Sequence, residues 1–254
     1  MNTDSFVASP SGVLVADDFR DNLIIDRHDP VFAFMRASKL KHLRSENSED
    51  AVTWNVFRSL RQINPAAWFP SLTSVGLPGI SLPADDSVIV ELWRSFAPPP
   101  SLLRLGDEGA SEIDVVIESP TWVWFIEAKY RSDISRRTTT RPSRNQVLRN
   151  IDVGSYYAGA RHFYFSLLVS SKRTSPVGCD TVMQYQDLSV PRACLSGHRP
   201  DGLQNLQAIS LLTWAHLGHV LTVAAGTARG SDEKGYAERA IEWLAQKGLS
   251  DDGG

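Results

Sequence analysis

Residues 111–132 read SEIDVVIESPTWVWFIEAKYRS, two apolar runs that meet at a Ser-Pro turn. Runs rich in Val, Ile, Trp and Phe on either side of a turn predict a β-hairpin. Both runs nevertheless contain charge, because Asp114 lies in the first and Glu127 and Lys129 lie in the second. Buried strands rarely carry charged side chains without a partner or a function. The hairpin is therefore the first place to look for a functional site.

Strand geometry predicts where the first of these charges lies. Successive side chains of a strand point to opposite faces of the sheet, so Ile113, Val115 and Ile117 are expected to share one face. Asp114 is then expected on the other face. If the hairpin is antiparallel, Asp114 lies near Glu127 of the second strand, toward the open end of the hairpin.

The same alternation makes Glu127 and Lys129 project from one face of the second strand. The two carboxylates of Asp114 and Glu127 repel each other unless a cation lies between them. Lys129 is one candidate for that cation. Mg²⁺ is another, because it favours carboxylate oxygens and keeps several waters for substrate phosphates. Beside two carboxylates the Lys129 ammonium is expected to stay protonated, so that it would position a water and stabilise charge on a phosphate.

The order of Asp114, twelve further residues and then Glu127-Ala128-Lys129 resembles the signature of the PD-(D/E)XK nuclease superfamily. As in that family, the Glu-Ala-Lys triplet ends a strongly hydrophobic strand. One position departs from the pattern, since Ile113 stands where the proline of the motif would be, and many members tolerate this change.

The residues before the hairpin extend the resemblance. A helix is predicted over 45–63, with Ser48 as its N-cap. Glu49 at its start looks like the helical glutamate of the family, and Glu46 is the alternative.

The residues after the hairpin extend the resemblance to position 171. A helix predicted over 143–159 carries Gln146 and Asn150, similar to the helical Gln or Tyr position that many members have. Gln146 would contact phosphate or orient the lysine of the triplet. A hydrophobic strand predicted over 161–171 would close the core.

The resemblance implies an α/β fold with a restriction-endonuclease-like core, a mixed central β-sheet flanked by helices, and a helical C-terminal elaboration. It implies that Asp114 and Glu127 hold Mg²⁺, or Mn²⁺ as a substitute, aided by the backbone carbonyl of Ala128. Lys129 would orient the attacking water. Glu49 would complete the acidic shell, directly or through water. The reaction would be the hydrolysis of a phosphodiester bond.

Three segments are predicted: an N-terminal extension and helix at 1–44, the nuclease core at 45–171, and a mostly helical extension packed on the core at 172–254. Residues 64–85 are expected to form a Pro/Gly-rich loop, and the type of the element at 87–96 is left open. The remaining elements are predicted as helices at 29–44, 209–228 and 232–250 and as strands at 101–106, 111–119 and 121–130.

A basic segment follows the hairpin. Between Lys129 and Asn150 the chain has seven basic residues against one acidic residue, Asp133. The formal net charge of the chain is −3, but an acidic protein can still present a phosphate-binding face. A solvated, Arg-rich loop is the alternative interpretation. The residues expected to neutralise phosphates beside the scissile bond are Arg131, Arg136, Arg137, Arg141, Arg144 and Arg149.

Other features favour a cytoplasmic protein with reduced thiols and no membrane span. Cys179 and Cys194 make no disulfide framework, and the first residues lack the pattern of a signal peptide. The spacing of the two cysteines and His198 matches no compact zinc motif. The segment 209–228 has no Asp, Glu, Lys or Arg, but its histidines and hydroxyl residues favour a core helix over a membrane span.

These observations predict a Mg²⁺-dependent DNA endonuclease, with a homodimer expected if two subunits pair to cut a duplex. One alternative is a catalytically inactive nuclease-fold protein that binds nucleic acid or a protein partner. The intact set of Asp114, Glu127 and Lys129 argues against it. The other alternative is a ribonuclease or an exonuclease with the same metal site, and no motif in the sequence separates it from the first interpretation.

Overall fold

A five-stranded mixed β-sheet forms the centre of the protein. The computed structural model describes residues 6–84, 87–103, 109–137 and 144–250. The sheet has the order β3-β4-β5-β6-β7, in which β3, β4 and β5 are antiparallel neighbours and β6 and β7 continue in parallel with β5. A two-stranded antiparallel hairpin, β1-β2, lies outside it. The strands are β1 Phe6–Ala8, β2 Leu14–Ala16, β3 Ile89–Phe96, β4 Ser111–Glu118, β5 Trp122–Ala128, β6 His162–Val169 and β7 Leu206–Thr213.

Helices cover both faces of the central sheet. Two 3-10 helices, Phe19–Asn22 and Pro30–Phe34, precede the first α-helix. The α-helices of the described residues are α1 Ala37–Leu43, α2 Glu49–Arg61, α3 Pro65–Gly76, α4 Pro100–Leu103, α5 Gln146–Ala158, α6 Pro176–Tyr185, α7 Ser189–Leu195, α8 Trp214–Thr227 and α9 Ser231–Gln246. None of the helices in the described part of the chain is long and apolar enough to cross a membrane.

The side-chain alternation of β5 divides the interior into two cores. Trp122, Trp124 and Ile126 pack with α2, α3, α8 and α9 on one face of the sheet. Val123 and Phe125 pack with α5, α6 and α7 on the other face. Because all seven residues of β5 are buried, a charge on this strand has to be compensated inside the protein.

The alternation of β4 is broken at Asp114, so the prediction that Ile113 shares a face with Val115 and Ile117 is wrong. Ile113 packs in the core of the α5 face, whereas Val115 and Ile117 pack in the opposite core. The pairing of β3 with β4 passes over Trp93 and Asp114, and Trp93 adopts a left-handed φ of 54°. An irregularity of this kind re-aims side chains and is common beside functional sites.

Two other assignments differ from the sequence expectations, and one element that the sequence left open is now assigned. The predicted loop at 64–85 contains α3, which begins at Pro65 behind the N-cap Asn64, because proline fits the first turn of a helix. The element at 87–96 is β3, and the strand predicted at 101–106 begins as the short helix α4, with residues 104–106 outside the described ranges.

The C-terminal segment is part of the central sheet. Residues 206–213 form β7, although the apolar run at 209–228 predicts one continuous helix. The run divides at Thr213, whose hydroxyl accepts a hydrogen bond from the backbone N–H of His216 and so caps α8. Nδ1 of His216 in turn accepts from the backbone N–H of Thr213. His216 therefore has a structural role as part of this capping box.

The close approach of α5 to the sheet generates a prediction about stability. A Cβ atom at Gly154 would lie 2.2 Å from Cζ of Phe163 and 2.7 Å from Cδ2 of Phe125. We expect Gly154→Ala to lower the free energy of unfolding by about 1–3 kcal/mol, because overpacking outweighs the better helix propensity of alanine. Gly226→Ala in α8 is the control, since its Cβ would have nothing within 4 Å. Urea unfolding followed by circular dichroism would contradict the prediction if both variants behaved alike.

Candidate active site

Four charged side chains from three elements meet at one end of the β4-β5 pair. They are Glu49 at the first position of α2, Asp114 in β4, Glu127 in β5 and Lys129 directly after β5. The Lys129 ammonium lies 2.7 Å from Oε1 of Glu127 and 3.2 Å from Oε1 of Glu49. It also donates to the carbonyl oxygen of Ala128 at 2.9 Å. The structure therefore brings together the acid set and the lysine that the sequence predicts.

Glu127 is the most enclosed of the three carboxylates, with 2% of its surface exposed. Its Oε1 accepts from Nε2 of Gln146 at 2.5 Å as well as from Lys129. Its Oε2 accepts from Nδ2 of Asn150 at 2.7 Å. Since Gln146 and Asn150 are one helical turn apart, a single face of α5 supplies both amide donors.

Asn150 is the residue whose role at this site the sequence left unassigned. Its side chain is 3% exposed and donates directly to Glu127. The spacing of Gln146 and Asn150, four positions apart on a predicted helix, is the signal that could have identified it. Asn150 thus contributes to holding one carboxylate oxygen in a fixed direction.

Glu49 is positioned by its helix and by the chain that leaves β5. Ser48 caps α2 by accepting from the N–H of Ala51 at 3.1 Å, so Glu49 occupies the first turn, where the helix dipole favours negative charge. Its Oε2 accepts from the N–H of Tyr130 and from the hydroxyl of Ser132, both at 2.7 Å. These contacts tie α2 to the Glu-Ala-Lys segment.

Asp114 lies where the pairing of β3 with β4 is interrupted. Its Oδ2 accepts from the backbone N–H of Ala128 at 2.9 Å, and within the described residues Oδ1 accepts no hydrogen bond. Burial and the neighbouring Glu127 carboxylate raise the pKa of Asp114 well above its ordinary value, although Lys129 acts in the opposite direction. The site therefore holds more negative charge than its single lysine compensates.

Lys129 is held between these carboxylates and by its backbone. Burial would by itself lower the pKa of the Lys129 ammonium, but Glu127, Asp114 and Glu49 outweigh it and the pKa lies above its ordinary value. The lysine is thus a cation at neutral pH, as predicted. Its N–H donates to the carbonyl of Leu168 at 2.7 Å, and its carbonyl accepts from the indole of Trp214 at 3.1 Å.

The predicted alternative for the helical acid lies elsewhere. Oε1 of Glu46 accepts from the N–H of Leu14 at 2.8 Å, which ties the β1-β2 hairpin to the loop before α2. In this structure Glu49, not Glu46, contacts Lys129.

The five described arginines of the basic segment have different environments. Arg131, Arg136 and Arg137 are exposed, and Nη1 of Arg131 donates to Oδ1 of Asn47 at 2.6 Å. Arg149 is half-buried and donates to the carbonyl of Ala110 at 2.9 Å.

A buried ion pair removes Arg144 from any exposed basic face. Arg144 is 4% exposed and its guanidinium pairs with the buried carboxylate of Asp152 at 2.9 Å, so the structure places it in the interior, away from solvent phosphate. Arg141 lies outside the described residues.

Comparisons with known proteins add no further assignment. No family model, curated protein or solved structure matches the chain. In the described ranges, no cluster of three or more His, Cys, Asp or Glu side chains has the arrangement of a formed metal site. The geometry explains this, because the Lys129 ammonium lies at the point where Glu49, Glu127 and the carbonyl of Ala128 converge.

The raised pKa of Asp114 gives a prediction about the protein without metal. Folding moves the pKa upward, so ionisation of Asp114 destabilises the folded state as pH rises above about 4. We expect Asp114→Asn to raise the free energy of unfolding at pH 7 by about 0.5–2 kcal/mol, because the amide oxygen can still accept from Ala128. The gain should disappear near pH 4, where Asp114 is protonated in the wild type.

The control for this measurement is Asp133→Asn. The carboxylate of Asp133 accepts from the N–H groups of Val177 and Gly178 at 2.8 Å, at the start of α6, where negative charge is favourable. This variant should lose stability at pH 7. Chemical unfolding between pH 4 and pH 8 in EDTA tests both, and a loss of stability in Asp114→Asn would contradict the expected repulsion.

Proposed function

We propose that this protein is a metal-dependent nuclease with a restriction-endonuclease-like core, and that it is a DNA endonuclease. The observation that carries the proposal is the convergence of Glu49, Asp114, Glu127 and Lys129 at one end of two neighbouring strands. A buried acid with a raised pKa, as at Asp114, grouped with a buried lysine is typical of a functional site.

The order of the elements supports the proposal independently of the charges. An acid-bearing helix, α2, precedes three antiparallel strands, β3 to β5. A helix that supplies the glutamine, α5, then leads to the parallel strand β6. This is the arrangement that the PD-(D/E)XK resemblance implies for the segment 45–171.

The donor atoms fit Mg²⁺ by their chemistry. Carboxylate and carbonyl oxygens are the ligands that this hard cation prefers, and Asp114, Glu127 and the carbonyl of Ala128 would supply them, with Glu49 beside them. Three carboxylates against one ammonium leave the site short of positive charge, which a divalent ion would correct. The Lys129 ammonium would have to leave the Ala128 carbonyl, with which it now shares a 2.9 Å hydrogen bond.

Bound Mg²⁺ would supply Lewis-acid stabilisation of the charge that develops on the phosphate and would lower the pKa of a bound water. The protein would hold the ligands in place: α5 fixes Glu127 through Gln146 and Asn150. Lys129, charged because of its three acidic neighbours, would orient the attacking water and stabilise charge on the phosphate.

The exposed side chains of Arg131, Arg136 and Arg137 lie on the segment that directly follows the triplet. Among the described members of the predicted basic set, they are the exposed ones, which can approach backbone phosphates. Phosphate contacts of this kind give affinity and positioning without reading sequence. Such contacts suit a nucleic-acid backbone in general; we propose DNA as the substrate, with RNA as the alternative that the first experiment decides.

Cleavage by wild type and Lys129→Ala tests the proposal. Supercoiled plasmid, labelled single-stranded DNA and RNA would be incubated with Mg²⁺, with Mn²⁺ and with EDTA. We expect metal-dependent cleavage by the wild type and a rate at least about 100-fold lower in Lys129→Ala. Lys172→Ala is the matched control, because Lys172 is an exposed lysine paired with Asp180, and its rate should equal that of the wild type.

Because Lys129 is buried, its loss could unfold the protein. Circular dichroism of each variant separates unfolding from a direct effect on catalysis. Gln146→Ala is a second, milder substitution, because it removes only one hydrogen bond to Glu127. Absence of cleavage by a folded wild type on all three polymers and with both metals would refute the nuclease proposal. Retained salt-sensitive DNA binding would then indicate a nuclease-fold protein that does not cut.

Metal binding has its own test. A ligand that binds only the folded state stabilises it by about 2.7 kcal/mol at 100 times its Kd. We expect Mg²⁺ to raise the melting temperature of the wild type and to leave that of Asp114→Asn nearly unchanged. An equal shift in both proteins would show that the stabilising ion does not bind at Asp114.

A further inference from the structure

A groove borders the candidate active site on the side of the N-terminal segment. A cavity of about 830 Å³ is lined by Phe34, Arg36, Lys39, Trp93 and Glu112, among others. A second cavity of about 460 Å³ contains Glu49, Tyr130 and Arg131 in its lining. His42 and Asp50 line both cavities, so the two cavities adjoin, and the second contains Glu49 in its lining. We call this feature the N-terminal groove.

Phe34 at this groove is the most exposed of the large hydrophobic side chains in the described residues, at 88%. Its position is nevertheless defined, because it ends the 3-10 helix Pro30–Phe34, in which Phe32 is 5% exposed and packs on Trp54 at 4.6 Å between ring centroids. Leaving such a ring in water forgoes about 1.5–3 kcal/mol of burial. Binding that covers the ring would recover this free energy.

The ion pairs of the groove leave the Arg36 guanidinium available. Lys39 pairs with Asp50 at 3.3 Å and also with Glu112, and its ammonium lies 4.4 Å from the centre of the Trp93 ring. These acids are therefore already compensated. Arg36 and His42 are exposed, and in the described part of the chain neither side chain has an ion pair or a hydrogen bond.

We propose that the N-terminal groove binds an unpaired stretch of nucleic-acid strand next to the bond that is cut, with a base stacked on Phe34 and phosphates on Arg36 and Arg131. This inference rests on the proposed nuclease function and names its substrate as a strand with unpaired nucleotides. An exposed aromatic ring beside cationic side chains such as Arg36 is a combination that binds single strands. A base paired and stacked inside a duplex has no free face for Phe34, whereas the bases of a single strand do.

Binding in EDTA, where a metal-dependent nuclease cannot cut, isolates the groove from catalysis. Fluorescence anisotropy would measure the affinity of the full-length protein for a labelled single-stranded oligonucleotide and for a blunt duplex. We expect preference for the single strand and a loss of about tenfold in Phe34→Ala. Phe34→Trp should bind like the wild type, and Phe34→Leu should bind like Phe34→Ala, because leucine offers no ring for stacking.

Arg36→Ala should weaken binding in a different way. Loss of one phosphate contact on a single strand reduces the slope of log K against log salt concentration by about 0.7, whereas Phe34→Ala should leave the slope unchanged. Ile89→Ala is the matched control, because Ile89 is a hydrophobic residue of β3 that is 52% exposed and does not line the groove. Its affinity should equal that of the wild type.

Several results would overturn the inference. Unchanged single-strand affinity in Phe34→Ala or tighter binding of the blunt duplex would exclude base stacking in the groove. A wild-type dimer that becomes monomeric in Phe34→Ala, measured by sedimentation, would assign Phe34 to an interface between copies of the chain. Phe34-dependent binding without cleavage of any polymer would refute the nuclease proposal and leave the assignment of the groove as a single-strand site standing. Cleavage together with Phe34-independent binding would support the nuclease proposal and refute the assignment of the groove.

Discussion

The burial of Glu127 and Lys129 at the end of an entirely buried strand is the constraint on which the rest of the site depends. Removing two charges from water costs several kcal/mol for each ion unless other polar groups surround them. Gln146 and Asn150 of α5 donate to Glu127, and Glu49 and the carbonyl of Ala128 accept from Lys129. The ion pair therefore determines how α2 and α5 must lie against the sheet, and the same contacts form the candidate catalytic centre.

The irregularity in the pairing of β3 with β4 is the second feature that shapes the site. Trp93 has a left-handed φ, and its indole Nε1 is buried without a hydrogen-bond partner in the described residues. A left-handed φ is energetically unfavourable for a bulky residue. The stacking of the Trp93 ring on Trp54, at 5.1 Å between ring centroids, helps to stabilise this conformation. The break leaves Asp114 outside the strand pairing, so its carboxylate can approach the backbone of Ala128. In a regular strand the Asp114 side chain would point away from the sheet, and its Oδ2 would not reach the backbone N–H of Ala128.

The hairpin and most of the site could be predicted from local pattern, and the reasons for the failures are physical. The two-residue period of β5 correctly put Glu127 with Lys129, and the Ser48 cap correctly placed the start of α2. The period failed at Ile113 because the break at Asp114 depends on the packing of Trp93, which no neighbouring residue in the sequence signals. Arg144 was expected at the surface because arginine usually is, but Asp152 provides a buried partner that lies eight residues away on the next helix.

The sequence by itself determined the residues of the candidate site: which strands carry charge, which acids and which lysine lie together, and which helix start approaches them. These properties follow from the residue types and from the period of the strand, and both are local. Only the tertiary structure decided that β7 joins the sheet, that Asn150 holds Glu127, and that residues before α2 form a groove beside Glu49. Those outcomes join residues that are far apart in the chain, and they arise because buried polar atoms and apolar faces find partners only when the whole fold has closed around them.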